Sequence, residues 1–258
     1  MKYIANFSGG KDSTATIILA HEHNEPLDLI IFSEVMFDKN ISGELPEHID
    51  FIKNKCIPLF ENWGYEVKIL RSDKTYLDYF YRKAVKGKRV GMKKGFPMSK
   101  HCGIQNECKM KSIHNFYKTI QEDFIQFIGI AIDETVRLDR VVKNTNQISL
   151  LQKYGYTEQM AYDLCNKYDL LSPVYEFTKR GGCWFCPNAR DNELRHLRNC
   201  HPELWKRFLE LEKEPNLIGN IWNTLTQTSI HDKEEQFMWE QQQMSIEDFL
   251  TSEEEDEQ

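Results

Sequence analysis

No run in this 258-residue chain approaches the roughly 18 consecutive apolar residues that a membrane-spanning helix requires. The first residues lack the charged region, apolar stretch and cleavage site of a secretory signal, so the sequence predicts a cytoplasmic protein with no membrane partner. Two common nucleotide fingerprints are also missing, because no Gly-x4-Gly-Lys-Ser/Thr loop and no Gly-x-Gly-x-x-Gly turn is present. There is no internal repeat, and no cysteine follows Cys200. What the chain does have is 40% hydrophobic, 28% charged and 12% aromatic residues, enough to bury a core. That composition fits one globular unit of roughly 200 to 250 residues with an appendage. Seven cysteines, expected where disulfides rarely persist, make metal or cluster ligation the leading question.

Charge is unevenly spread. Residues 82–111 hold ten Lys or Arg against the single acid Glu107, a local +9 in a chain of net −7, so the remainder carries −16. A basic strip within an acidic protein predicts a local anion site, with Lys93, Lys94, Lys109 and Lys111 as its expected contacts. At the other end Glu253 to Glu257 run without an apolar residue, which predicts a disordered acidic tail over 232–258.

The first half alternates between strand and helix patterns. Strands are expected at Tyr3 to Phe7, Leu27 to Phe32, Tyr65 to Leu70 and Phe124 to Ile132. Helices are expected at Thr14 to Ala20 and at Pro46 to Trp63, the latter stopped by Gly64. Such alternation predicts an α/β fold with a doubly wound parallel sheet and ligands at the C-terminal strand ends. After Leu150 the pattern turns helical, with Thr157 as an N-cap and Pro202 opening a helix that carries Leu204, Trp205, Phe208 and Leu211. The expected organisation is a nucleotide-binding α/β domain over 1–150, a helical, cysteine-containing extension over 151–231, and the tail.

Ser8-Gly9-Gly10-Lys11-Asp12-Ser13-Thr14 lies between the first strand and the first helix. Two glycines let backbone approach an anion, the following N–H groups point at it from a helix N-terminus, and hydroxyls on Ser8, Ser13 and Thr14 offer further donors. The segment reads as a phosphate cradle. Farther on, Gly181-Gly182-Cys183-Trp184-Phe185-Cys186-Pro187 is a C-x2-C knuckle. Its natural partners are two more thiolates, for which the sequence offers Cys102 and Cys108, with Cys200 in reserve. Zinc and a 4Fe-4S cluster both accept four thiolates, so ligand count leaves the choice open. Cys56 and Cys165 sit in apolar helical settings and are expected in the core.

Ser-Gly-Gly-x-Asp-Ser directly after a first strand resembles the PP-loop of the adenine nucleotide alpha-hydrolase superfamily. Phe32-Ser33-Glu34 with Phe37 and Pro46-Glu47-His48, then Cys108 to Ile113, then Gly129 to Glu134 with Arg137 and Arg140, are similar to segments of phosphoadenosine phosphosulfate reductase-like proteins. The likeness covers about residues 1 to 210. It implies nucleotide contacts from Ser8 to Thr14, Ser33, Glu34, Gly129, Arg137 and Arg140. It also implies cleavage of ATP between its alpha and beta phosphates with Mg2+, and it favours the iron-sulfur cluster over zinc. Lys11, Asp12 and Arg137 are the expected catalytic set.

Reductases of that family attack sulfonyl sulfur with a C-terminal cysteine thiolate, and their adjacent Cys-Cys pair is here replaced by Cys102 and Cys108. Lacking a late nucleophile, the chain is expected to be an ATP pyrophosphatase of the sulfurtransferase kind. In that reading the acceptor, tRNA or DNA, is adenylylated and then takes sulfur from a donor protein. A sulfonucleotide reductase that borrows an external thiol, and a non-enzymatic nucleotide-binding regulatory module, are the alternatives.

Overall fold

The computed structural model describes residues 1–137 and 146–256, with side chains through residue 243. Seven strands form among the described residues: β1 (Lys2–Phe7), β2 (Leu29–Glu34), β3 (Glu66–Arg71), β4 (Lys93–Gly95), β5 (Phe124–Phe127), β6 (Gln147–Ile148) and β7 (Leu217–Gly219). Side chains alternate across β1, and the alternation decides which layer each enters. Ile4 joins Leu29, Ile31 and Ile113 on one face, while Ala5 and Phe7 join Ile30, Phe32, Ile17 and Leu151 on the other. β2 is buried along its whole length because β1 and β3 pair with both of its edges.

The main sheet has the order β3-β2-β1-β5-β6, and every pairing in it is parallel. With helices over both faces, this is an α/β architecture compatible with a doubly wound fold. Strand order reverses between β1 and β5, the place where such sheets leave a crevice at their C-terminal ends. Helix α1 (Lys11–Glu22) follows β1 and is buried from Ser13 to Ala20. The helix expected over 46–63 is present as α2 (Pro46–Asp50), a π-helical stretch Phe51–Cys56, and α3 (Ile57–Asn62). Pro58 has no N–H for the Asn54 carbonyl and its ring crowds that carbonyl, which accounts for the widened turn. β5 stops at Phe127, short of the expected Ile132, because the chain must turn there to bring Gly129 onto α1.

The chain divides into two compact units, Met1–Asp78 with Ile104–Trp184, and Tyr79–Gly103 with Phe185–Gln258. The division differs from the boundary expected near residue 150. Leu150, Leu151, Leu164 and Cys165 complete the core under α1, so the first helices after β6 belong with the sheet. They are α6 (Leu150–Lys153) and α7 (Glu158–Lys167), numbered after α4 (Tyr76–Tyr81) and α5 (Lys111–Tyr117). Thr157 caps α7 as expected, its side chain accepting the Met160 N–H.

The second unit holds a two-stranded parallel pair, β4 with β7, and helices α8 (Asp191–Cys200), α9 (Pro202–Glu212) and α10 (Ile230–Asp256). Leu204, Trp205, Phe208 and Leu211 are all buried. The tail expected to be disordered from residue 232 is helical over its described part. Phe237 is 3% exposed beside Trp205, with 6.2 Å between ring centroids. Arg198 grips Glu234 at 2.9 and 3.1 Å, and Arg195 grips Glu240 at 3.0 and 3.1 Å. The opening of the tail carries one buried aromatic, Phe237, and two well-placed carboxylates, which tie it to the unit; composition weighted toward the last residues hid them. Among the described residues no helix is long and apolar enough to cross a membrane.

Phe237→Ala should therefore cost about 3 kcal/mol, the usual effect of emptying a buried aromatic site. Urea unfolding of the full chain measures it, and an unchanged midpoint would return α10 to the disordered tail.

Candidate active site

The loop between β1 and α1 is built around one carbonyl. Gly10 precedes the helix in extended geometry with no side-chain cap, and its oxygen accepts from the Thr14 N–H at 3.0 Å, the Thr14 hydroxyl at 3.0 Å and the Ser13 hydroxyl at 2.9 Å. Ser13 Oγ also accepts the Ser8 N–H at 3.2 Å and lies 3.1 Å from Ser8 Oγ. Two of the hydroxyls assigned to phosphate are thus turned inward onto the loop itself, and Thr14 is wholly buried. They shape the loop from within. The N–H groups of Asp12 and Ser13, which a first helical turn cannot use internally, have no protein acceptor among the described residues.

Two glycines permit this geometry by close approach. Gly9 has φ +74°, and a Cβ there would stand 2.6 Å from His48 and Ile52. At Gly129 a Cβ would stand 2.6 Å from the backbone of Asp12 and Ser13. Gly129, expected among the nucleotide contacts, serves as the surface on which the first turn of α1 rests.

Three residues outside the expected nucleotide contacts hold the loop: His48, Tyr175 and Cys165. His48 is 1% exposed, with Nε2 3.0 Å from the Ser8 carbonyl and Nδ1 2.7 Å from Ser172 Oγ. A carbonyl can only accept, so Nε2 carries the proton and Nδ1 accepts from Ser172. Burial holds the imidazole below its ordinary pKa, outweighing the Glu44 charge, which keeps it neutral. Tyr175 OH accepts the Lys11 N–H at 2.9 Å, and burial raises its pKa, so its own proton stays available for a ligand. Cys165 Sγ donates to the Lys11 carbonyl at 3.2 Å. The signal for His48 was its place with Ile52 and Cys56 on the apolar stripe of its helix; Tyr175 and Ser172 gave no local signal.

Lys11 turns toward acids. Its Nζ is 2.8 Å from Asp12 and 3.3 Å from Glu158. Burial works to lower its pKa, but the Asp12 hydrogen bond and the charges of Asp12 and Glu158 carry it above the ordinary lysine value. Asp12 is raised, first by burial and then by Glu134 and Glu158, against the opposing effect of Lys11. Arg137 is half-exposed and pairs with Glu134, while Arg140 lies outside the described residues.

Ser33 and Glu34 stand at the C-terminal end of β2, but both are committed to protein partners. Ser33 Oγ is 2.8 Å from Ser112 Oγ and 3.3 Å from the Lys109 carbonyl. Glu34, 1% exposed, receives Lys53 at 2.9 Å and Arg71 at 2.7 and 2.9 Å. Burial pushes its pKa up, yet the two cations win and hold it below the ordinary range. A groove of about 600 Å³, lined by Glu47, Asp50, Phe51, Tyr162, Tyr175 and Glu176 among others, meets the loop at Tyr175.

All seven cysteines are free thiols. Cys108 and Cys183 belong to the first unit, and Cys102 and Cys186 to the second. The knuckle is anchored by Trp184 and Phe185, which are 3% and 2% exposed, and Trp184 Nε1 donates to the Ser42 carbonyl at 3.0 Å. Cys56 and Cys165 are core residues as expected, and burial drives the Cys165 thiol up to about 12. The basic strip is divided too. Lys109 and Lys111 lie in the first unit, and the charge of Lys109 is felt at His48. Lys93 and Lys94 lie in the second unit, where Lys93, expected as an anion contact, is bound to Glu214 and faces the Tyr81 ring.

His48 yields a pH prediction. A histidine whose pKa is lower folded than unfolded contributes stability that is fully present above the unfolded value of about 6.5 and is lost as pH falls below it. His48→Gln keeps a donor for the Ser8 carbonyl and removes the titration. Between about pH 7.5 and about pH 5.5 the wild-type protein should lose more unfolding free energy than His48→Gln. Parallel losses would show that His48 is not held neutral by the fold.

No family model matches the chain. An uncharacterized protein of Methanocaldococcus jannaschii is 20% identical over 237 residues, a match covering 84% of this chain and 50% of that protein. The chain thus spans about half the length of the curated relative it matches, and the likeness assigns neither a family nor an activity.

Proposed function

We propose that this chain is a PP-loop enzyme of the adenine nucleotide alpha-hydrolase type. It binds ATP on Ser8 to Thr14, splits it between the alpha and beta phosphates, and adenylylates an acceptor that then receives sulfur. The observation that supports this reading most is the position of the loop. It lies where strand order reverses, its side chains are locked inward, and the Asp12 and Ser13 N–H groups are left for an anion.

In this reading an acceptor oxygen attacks the alpha phosphorus, the bond to the bridging oxygen breaks, and pyrophosphate leaves with the electron pair. The two N–H groups and the Tyr175 hydroxyl hold phosphate oxygens. Lys11 and Arg137 exchange their carboxylate partners for the leaving group and stabilise its growing charge. Asp12, Glu134 and Glu158 are hard oxygen donors of the kind that suits Mg2+, which when bound neutralises phosphate charge. Cys102, Cys108, Cys183 and Cys186, all free thiols, are the ligands that the family resemblance implies for a 4Fe-4S cluster, which would supply sulfur chemistry.

ATP incubated with the full chain and Mg2+ should release pyrophosphate and AMP rather than orthophosphate. Ser13→Ala, which removes one of three donors to the Gly10 carbonyl and the acceptor of the Ser8 N–H, should weaken ATP binding about tenfold, the effect of roughly 1.4 kcal/mol. Absence of ATP binding by calorimetry rejects the reading, and thiol-dependent sulfite release from a sulfonucleotide would favour the reductase alternative.

Anaerobically purified protein should contain iron and sulfide. Cys183→Ser should lose most of that iron, while Cys56→Ser keeps it and costs only packing. Zinc without iron in the wild type would replace the cluster by the alternative metal.

A further inference from the structure

The second unit carries a cationic projection that the ATP chemistry does not use. Residues 82–94 leave and rejoin the unit at one point, closed by the antiparallel bridge Lys83↔Lys93 and by hydrogen bonds from Ala84 N–H to Met92 O and from Lys94 N–H to Arg82 O, each 2.9 Å. The loop contains seven Lys or Arg, no acid and no aromatic residue. Lys93 is neutralised by Glu214, and Arg82 lies over the Tyr79 ring. Lys83, Lys86, Lys88 and Arg89 are exposed, and none has a carboxylate partner among the described residues. Between them Val85 and Val90 are 82% and 61% exposed.

We infer that this loop docks on duplex DNA. Four unmatched cations on a narrow tip suit a regular array of phosphates, and in a chain of net −7 they are a local grip rather than a general coat. A protein partner would be expected to meet aromatic anchors, and single-stranded nucleic acid to meet stacking platforms; the loop has neither. Two chain segments side by side at strand spacing make a ribbon-like tip, which the major groove of B-form DNA, about 12 Å wide, admits. The deep, narrow major groove of an RNA helix does not. Within the groove Val85 and Val90 are placed for apolar contact with thymine methyl groups, and the flanking cations for the backbones.

This inference deepens the proposed function by naming the acceptor as duplex DNA, but its test needs no ATP. Fluorescence anisotropy of the full chain with a labelled 20-base-pair duplex (roughly two helical turns) should show binding that weakens steeply with salt. The triple variant Lys86→Gln, Lys88→Gln, Arg89→Gln should bind at least about tenfold more weakly and reduce the logarithmic salt slope by about 3. Lys93→Gln should retain DNA affinity, and all variants should keep wild-type ATP affinity because the substitutions are remote in sequence from Ser8 to Thr14. The inference fails if wild-type protein shows no salt-dependent duplex binding, if tRNA or single-stranded DNA binds more tightly than the duplex, or if the triple variant binds duplex like the wild type. Loss of pyrophosphate release with DNA binding intact would instead remove the ATP reading alone.

Discussion

The candidate site depends on the three hydrogen bonds that converge on the Gly10 carbonyl. One is the ordinary first bond of α1; the other two come from hydroxyls that would otherwise compete for a bound anion. By tying Ser13 and Thr14 to the loop, these bonds fix where the Asp12 and Ser13 N–H groups point before any ligand arrives. Preorganised donors avoid the cost of reorientation at the moment charge develops. The close approach of Gly129 to the same two residues supports the turn from below, and His48 closes it from the side through the Ser8 carbonyl. None of these supporting residues needs to touch substrate.

Much of the first unit was legible because its signals are local. Each of the first three strands was marked by an apolar run, and α1 by the glycine turn before it. Thr157 and Pro202 open helices where their chemistry demands it. β6 was not legible, because two residues, Gln147 and Ile148, carry no periodicity and pair only through the register of β5. β4 and β7 escaped for the same reason. The unit boundary was missed because the stretch 79–103 leaves the sheet unit and returns, a matter of long-range contact that no composition shift records.

At the site, the direction of the loop's hydroxyls was not legible in the sequence. Hydroxyl residues after paired glycines suggest ligands, yet whether a hydroxyl faces out or in depends on which carbonyl lies within reach, and here that is Gly10. Glu34 is the reverse case: it sits at the C-terminal end of its strand, where ligand contacts belong, and is occupied by Lys53 and Arg71. His48, Ser172 and Tyr175 come together from separate segments and could be found only in three dimensions.

The distribution of charge around the loop constrains how a triphosphate would lie. Glu47, Asp50 and Glu176 line the groove that meets the loop at Tyr175, Asp12 and Glu158 flank Lys11, and the charge of Glu134 is felt at Asp12. A polyanion directed into that groove would face carboxylates in a setting of lowered dielectric, where like charges repel more strongly than in water. In the proposed reading phosphates would therefore be confined to the backbone donors at the helix start. The acids near Lys11 become compatible with them only through a divalent cation or by exchange with Lys11 and Arg137. Backbone N–H groups do not distinguish one phosphate from another, so in that reading discrimination between nucleotides would have to come from residues beyond the loop, while the loop would supply the geometry in which the alpha phosphorus is presented.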